Sequence, residues 1–110
     1  MKTIIITGAS GLVASQLTYD LLDKTNYRLL LISTHSDEIA KRYKASHDRV
    51  LCLSLLDLAK YIDEGLSVDC CIHTAFARSS EGAKLVSSIE FTTSLIKLLQ
   101  KAQLKTFVNI

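Results

Sequence analysis

Thr7-Gly8-Ala9-Ser10-Gly11-Leu12-Val13-Ala14 is the stretch of this 110-residue chain whose residue types and spacing point most directly to chemistry. Gly8 can take the backbone angles of a tight turn, and Gly11 leaves the backbone open to an approaching phosphate. Ala14 is small enough for a following helix to pack closely on the preceding strand. A helix opening at Leu12 would offer free N–H groups and a positive dipole end to a pyrophosphate. No Gly-Lys-Ser or Gly-Lys-Thr follows, which excludes a P-loop. An ordinary glycine-rich turn is the plainer reading of the same residues. His73 is the next candidate, because it closes an apolar run. No carboxylate or serine is spaced to complete a triad with it, so it reads as a packing and hydrogen-bonding residue.

The surrounding elements supply the context that the turn needs. Ile4-Ile5-Ile6 is a β-branched run, apolar on both faces, which predicts a buried parallel strand. Leu17, Leu21 and Leu22 then recur at helical spacing, and Asn26 fits the stop of that helix. Arg28 to Ser33 gives a second strand, and a short helix runs from Asp37 to about Tyr43. Val50 to Leu53 reads as a third strand and Leu58 to Glu64 as a helix closed by Gly65. Val68 to His73 reads as a fourth strand. Lys84 to Gln103 carries the longest helical pattern, with Leu85, Ile89, Thr92, Ile96 and Leu99 on one stripe. Thr106 to Ile110 opens a fifth strand. Alternating strands and helices at this spacing predict right-handed βαβ units in one domain, residues 1–110.

With its turn set between a buried strand and an amphipathic helix, the chain resembles the extended short-chain dehydrogenase/reductases, the NAD-dependent epimerase/dehydratase group. Their turn reads TGxxGxxG, and Ala14 stands here for the third glycine. The resemblance runs along the whole chain. Asp57-Leu58 matches the pair that the family places against the adenine after its third strand. His73-Thr74-Ala75 matches its turn beside the nicotinamide ribose and pyrophosphate. Ser88 to Thr92 and Lys105 to Val108 resemble its fourth helix and fifth strand.

The resemblance implies a Rossmann-type, doubly wound α/β fold with a parallel sheet in the order 3-2-1-4-5, truncated at the fifth strand, and a dinucleotide crevice between strands 1 and 4. It implies NAD(P) as cofactor, held by the turn at Gly8, Ser10 and Gly11 and by backbone contacts from Leu12 and Val13. Asp57 would meet the adenine amino group with Leu58 beside it, and Thr74 and Ala75 would touch the cofactor. Arg78 falls where some members carry a basic residue facing the phosphates; a solvated loop arginine is the alternative reading.

Two departures bear on that site. Ser88 stands where the family's helix usually carries asparagine. The second strand ends Ile32-Ser33-Thr34-His35, with no carboxylate until Asp37, where the family usually has an acid for the ribose hydroxyls. An acid would repel a 2′-phosphate, whereas Ser33, Thr34 and His35 could donate hydrogen bonds to it, which favours NADP. Asp37 and Glu38 oppose any help from Lys41 and Arg42, and all four read as a solvated helix face.

Composition removes several classes. A hydrophobic share of 48% and a charged share of 22% are those of an ordinary globular protein. Thirteen Lys and Arg against 11 Asp and Glu give a net charge of +2, no electrostatic case for nucleic acid or an acidic membrane. No run approaches the roughly 18 apolar residues of a membrane span, and the N-terminus has no signal-peptide pattern, so a cytoplasmic location is expected. Cys52, Cys70 and Cys71 lie in apolar runs. Neighbouring cysteines on a strand point to opposite faces, which suits small buried thiols in a reducing compartment better than a metal site.

The family transfers hydride with a tyrosine followed four residues later by lysine, and with a serine or threonine after the fifth strand. Tyr19, Tyr27, Tyr43 and Tyr61 have no such lysine. The resemblance therefore implies the cofactor-binding part of an epimerase, dehydratase or reductase, acting on a nucleotide sugar or similar small molecule, without a catalytic residue of its own. A homo-oligomer joined through strand 5 or the long helix is expected. A non-catalytic NADP-sensing protein of the same superfamily is the alternative, and a non-nucleotide α/β binding module a third.

Overall fold

Five consecutive residues that are buried on both faces can only lie inside a layered structure, and β1 (Thr3–Thr7) is such a strand. The computed structural model describes residues 2–9, 11–33, 36–43, 48–74 and 82–109, with the backbone alone at 82–88 and 109. After β1 come α1 (Leu12–Lys24), β2 (Arg28–Ile32), α2 (Ser36–Arg42), β3 (Val50–Leu53), α3 (Leu55–Asp63), β4 (Cys70–His73), α4 (Gly82–Lys101) and β5 (Thr106–Asn109). All pairings are parallel and the strand order is β3-β2-β1-β4-β5, as expected. Thr7 pairs with Ile32 on one side, and Ile6 with Ile72 on the other.

The period of two along each strand divides the core into two layers. Ile5, Leu30, Ile32, Leu53 and Cys71 pack with Leu58 and Ile62 of α3 and Leu95 and Leu99 of α4. Ile4, Ile6, Leu29, Leu31 and Val50 pack on the opposite face with Ala14 of α1 and Ile39 of α2. The unbroken apolar runs of β1 and β2 follow from this sandwiching. Cys70 and Cys71 do fall on opposite faces.

Most boundaries shift by one or two residues, as for α4, which begins at Gly82 and not Lys84, and three differences bear on packing. α3 begins at Leu55 rather than Leu58, because the Ser54 hydroxyl accepts the Asp57 N–H at 3.2 Å and caps the helix. β4 begins at Cys70, not Val68; the buried Val68 side chain precedes the ladder. On α4, Leu95 is buried. Of the expected stripe, Leu99 is buried and Thr92 half-buried while Ile89 and Ile96 are exposed, so the core face is turned toward Leu95.

The ends of the strands away from the glycine turn are held by polar groups. The half-buried Arg49 guanidinium donates to the carbonyls of Leu22, Thr25 and Tyr27, closing the C-terminus of α1. Asp69 accepts the Thr3 N–H at 2.9 Å and the Lys105 ammonium at 3.3 Å. The first of these bonds, then the lysine, holds its carboxyl below the usual range. Replacing Arg49 with Leu removes three charge-assisted bonds to carbonyls. Urea unfolding of that variant is expected to show a loss of about 2 kcal/mol.

Candidate functional site

In a parallel sheet every strand ends on the same side, so loops far apart in sequence share one rim. Gly8, Gly11, Leu12 and Val13 follow β1, Ser33 follows β2, Asp57 lies in the first turn of α3 beyond β3, and Thr74 follows β4. These residues share one rim of the sheet: Gly8 to Val13 and Thr74 flank the β1/β4 switch, while Ser33 and Asp57 lie further along it at β2 and β3. Ser10, Thr34, Ala75 and Arg78 lie outside the described residues, as do His35 and the side chain of Ser88.

The turn after β1 is built as its glycines require. Gly8 has φ 63°, in the left-handed region. The Gly11 N–H donates to the Gly8 carbonyl at 2.9 Å, and Gly11 caps α1 with extended backbone and no side-chain bond. A Cβ at Gly11 would lie 3.2 Å from that carbonyl oxygen, closer than side chains ordinarily come. The first intrahelical bond of α1 runs from the Ser15 N–H to the Gly11 carbonyl. The N–H groups of Leu12, Val13 and Ala14 therefore have no partner within the helix, and they sit at its positive end. The Leu12 side chain itself is exposed and is not folded into the core. The three N–H groups form a cradle for an anion that Ala14, fully buried against the sheet, holds close to β1.

Two of the remaining residues take different parts. Leu58 is fully buried and its N–H donates to the Ser54 carbonyl, so it anchors the turn carrying Asp57 and does not face the rim. Ser33 extends the β2–β3 ladder by donating its N–H to Leu53. Among the solvated residues of α2, Arg42 donates to the Ser15 hydroxyl at 3.0 Å, tying α2 to the first turn of α1.

At the other lip, His73 is 1% exposed and carries no triad. Its Nδ1 lies 2.7 Å from the Thr7 hydroxyl and its Nε2 3.0 Å from the Thr92 hydroxyl. The ring stacks on Phe91 and leans on Phe107. The Thr7 hydroxyl also accepts the Thr74 N–H at 2.9 Å, and the Thr74 hydroxyl donates to the Thr7 carbonyl at 2.6 Å. The Thr74 proton is thus committed, and that hydroxyl is left to a ligand as an acceptor. Burial pushes the His73 pKa below its ordinary 6.5. Sequence reading missed this link, whose partners are 66 positions apart.

The thiols are set up for packing. Burial raises Cys71 to about 12 and also raises Cys52 and Cys70, the last helped by Asp69. No group of His, Cys, Asp or Glu among the described residues could hold a metal. None of the described helices is long and apolar enough to cross a membrane.

Comparison with known proteins fits this arrangement. The family described as NAD dependent epimerase/dehydratase matches residues 4–110. The chain belongs to that family. Its fold is similar to that of a UDP-glucuronic acid 4-epimerase from Bacillus cereus in complex with NAD, at 19% identity and TM-score 0.68, over 97% of this chain and 38% of that one. The same enzyme with UDP-glucuronic acid and NAD matches at 20% identity and TM-score 0.64, over 97% and 39%. A Bacillus thuringiensis structure described as a 3-oxoacyl-reductase matches at 20% and 0.65, over 91% and 50%. The chain therefore spans half or less of the length of these structures. No curated protein sequence matches it.

Two outcomes follow from the rim. Gly8→Ala puts a Cβ on a left-handed residue, and urea unfolding should show a loss of about 1–2 kcal/mol. The second concerns pH. Because folded His73 resists protonation while the unfolded form titrates at the ordinary 6.5, the unfolded state binds more protons as the medium turns acid. The His73 contribution is full above 6.5 and declines as pH falls below it. The thermal midpoint of the native chain should drop across that range, and His73→Asn should flatten the slope.

Proposed function

We propose that residues 1–110 form the N-terminal, cofactor-binding part of an NAD(P)-dependent epimerase, dehydratase or reductase. The observation that carries this reading is the opening of α1, where three N–H groups without helical partners meet a glycine turn at the end of the central strand. The pyrophosphate rests on the N–H groups of Leu12 and Val13, with Ser10 beside it. The Asp57 carboxylate accepts the adenine amino group from the first turn of α3. Thr74 and Ala75 border the nicotinamide ribose, where the Thr74 hydroxyl accepts from a ribose hydroxyl. Arg78 faces the phosphates. A bound nicotinamide supplies a hydride acceptor or donor, and this chain's residues bind and orient it.

NADP is preferred over NAD. Ser33 follows β2, Thr34 comes next in sequence, and the nearest following carboxylate, Asp37, is exposed on α2. The substrate is a nucleotide sugar or a similar small molecule, consistent with the epimerase among the structural neighbours. The tyrosine–lysine pair that transfers protons in this family has no counterpart in these residues. Catalysis and substrate binding therefore belong to sequence outside them. That same lack favours a second reading, a non-catalytic NADP sensor, which a Tyr-x-x-x-Lys downstream in the gene would dismiss. Self-association through β5 or α4 belongs to the same proposal, supported by the exposed Phe107, Val108, Ile89 and Ile96.

Calorimetry tests the site. Gly11→Val is expected to abolish dinucleotide binding while far-UV circular dichroism stays unchanged, because the branched side chain occupies the cradle. Unchanged affinity would remove the site from the turn. NADP should bind more tightly than NAD, and Ser33→Asp should reverse the order. A tenfold preference of the native chain for NAD, about 1.4 kcal/mol, would overturn the cofactor assignment.

A further inference from the structure

The crevice has a buried lip formed by Thr7, His73, Thr74 and Thr92. Its hydrogen bonds can be followed proton by proton. The Thr7 hydroxyl receives the Thr74 N–H, so one of its lone pairs is used. Its own proton needs an acceptor, and Thr7 is fully buried. His73 Nδ1, 2.7 Å away, supplies one only when that nitrogen carries no hydrogen. The ring is then the neutral Nε2–H form, and Nε2 donates to the Thr92 hydroxyl at 3.0 Å. The polar groups of Thr7, His73 and Thr74 are all satisfied in this arrangement.

A proton on Nδ1 reverses the direction of the first bond. The Thr7 hydroxyl would then have to receive both the Thr74 N–H and the imidazolium, with its own hydrogen left in the core and no acceptor. Thr7 from β1, Phe91 and Thr92 from α4 and Phe107 from β5 surround the ring. None of them is charged or titrates near neutrality. Asp69 and Lys105 lie at the opposite end of β4 and β5, and Glu90 of α4 is exposed. Among the described residues, no anion faces the ring to stabilise its cation.

We propose that His73 is a positioning residue of the dinucleotide crevice: by accepting the Thr7 proton it fixes Thr7 as the acceptor of the Thr74 N–H, and so sets the distance between the turns that follow β1 and β4. The proposal rests on the dinucleotide reading for its consequence, because these two turns border the cofactor. Neutral His73 keeps the lip closed on Thr7. Protonated His73 releases Thr74 and weakens cofactor binding, which makes the affinity fall in mild acid.

Nitrogen NMR of the labelled native chain reads the first half without any ligand. The expected result is the Nε2–H tautomer at neutral pH and a Thr74 amide that shifts with the same midpoint as the His73 ring. The Nδ1–H tautomer, or a Thr74 amide that stays still while His73 titrates, overturns the proposal. Two variants separate positioning from bulk packing. His73→Asn keeps an acceptor near the Nδ1 position and should retain protection of the Thr74 amide from hydrogen exchange. His73→Gln carries its amide near the Nε2 position, with no acceptor near Nδ1, and should lose that protection; equal behaviour of the two overturns the proposal. For the second half the ligand is NAD, since the 2′-phosphate of NADP titrates in the same range. Its affinity should fall by up to about tenfold per pH unit below the His73 midpoint and stay flat in His73→Asn. A pH-independent affinity in the native chain overturns the cofactor consequence. Absence of NAD binding at every pH counts against the dinucleotide reading, while the tautomer and amide results still judge the link between His73 and Thr74.

Discussion

Burial of β1 on both faces and along both edges is the constraint on which the remaining structure depends. A central strand flanked by two others has its N–H and carbonyl groups satisfied by ladders, and its side chains must alternate between two apolar layers. Ile4 and Ile6 face α1 and α2, while Ile5 faces the α3 and α4 layer. Helices on both faces follow from that alternation, and right-handed crossovers then determine where each must run. The glycine turn is useful only because this strand ends it at a fixed place. A cradle of three N–H groups on a mobile helix would be no site at all.

The polar residues divide their labour between the two ends of the sheet. At one end, Arg49 and Asp69 join helix and strand termini to one another through bonds to backbone groups. These bonds stabilise. At the other end the helix terminus of α1 is left unclosed, and the nearest hydroxyls serve the junction of β1 with β4. Unsatisfied N–H groups are tolerable where water reaches them, and they become a binding surface when an anion replaces the water.

Much of the fold was legible because two-sided burial writes itself as continuous apolar runs, as in Ile4-Ile5-Ile6 and Leu29-Leu30-Leu31-Ile32. The turn was legible because glycine at 8 and 11 has few other uses between such a strand and an amphipathic helix. The Ser54-x-x-Asp57 spacing marks the start of α3, a capping signal that a reading from the apolar period at Leu58 leaves out. The buried face of α4 was not available. Ile89 and Ile96 follow helical spacing as well as Leu95 and Leu99 do, and only the neighbouring layer decides between them. The role of Arg49 was hidden for a related reason, since its partners are carbonyls, which no sequence pattern marks. His73 was legible as a hydrogen-bonding residue, but its partners, 66 and 19 positions away, were not.

The strand order also bears on how the chain comes off the ribosome. Of the five strands of this sheet, the first in the sequence is the middle one, and β2 and β3 can close on one of its edges as they emerge. Its other edge has to wait for β4, and Thr7 meets His73 only after 66 more residues have been made. Through that interval Ile4, Ile5 and Ile6 carry an open ladder on an apolar strand, the kind of surface that pairs with another nascent chain. Cys70 to His73 seal that gap when β4 pairs with β1.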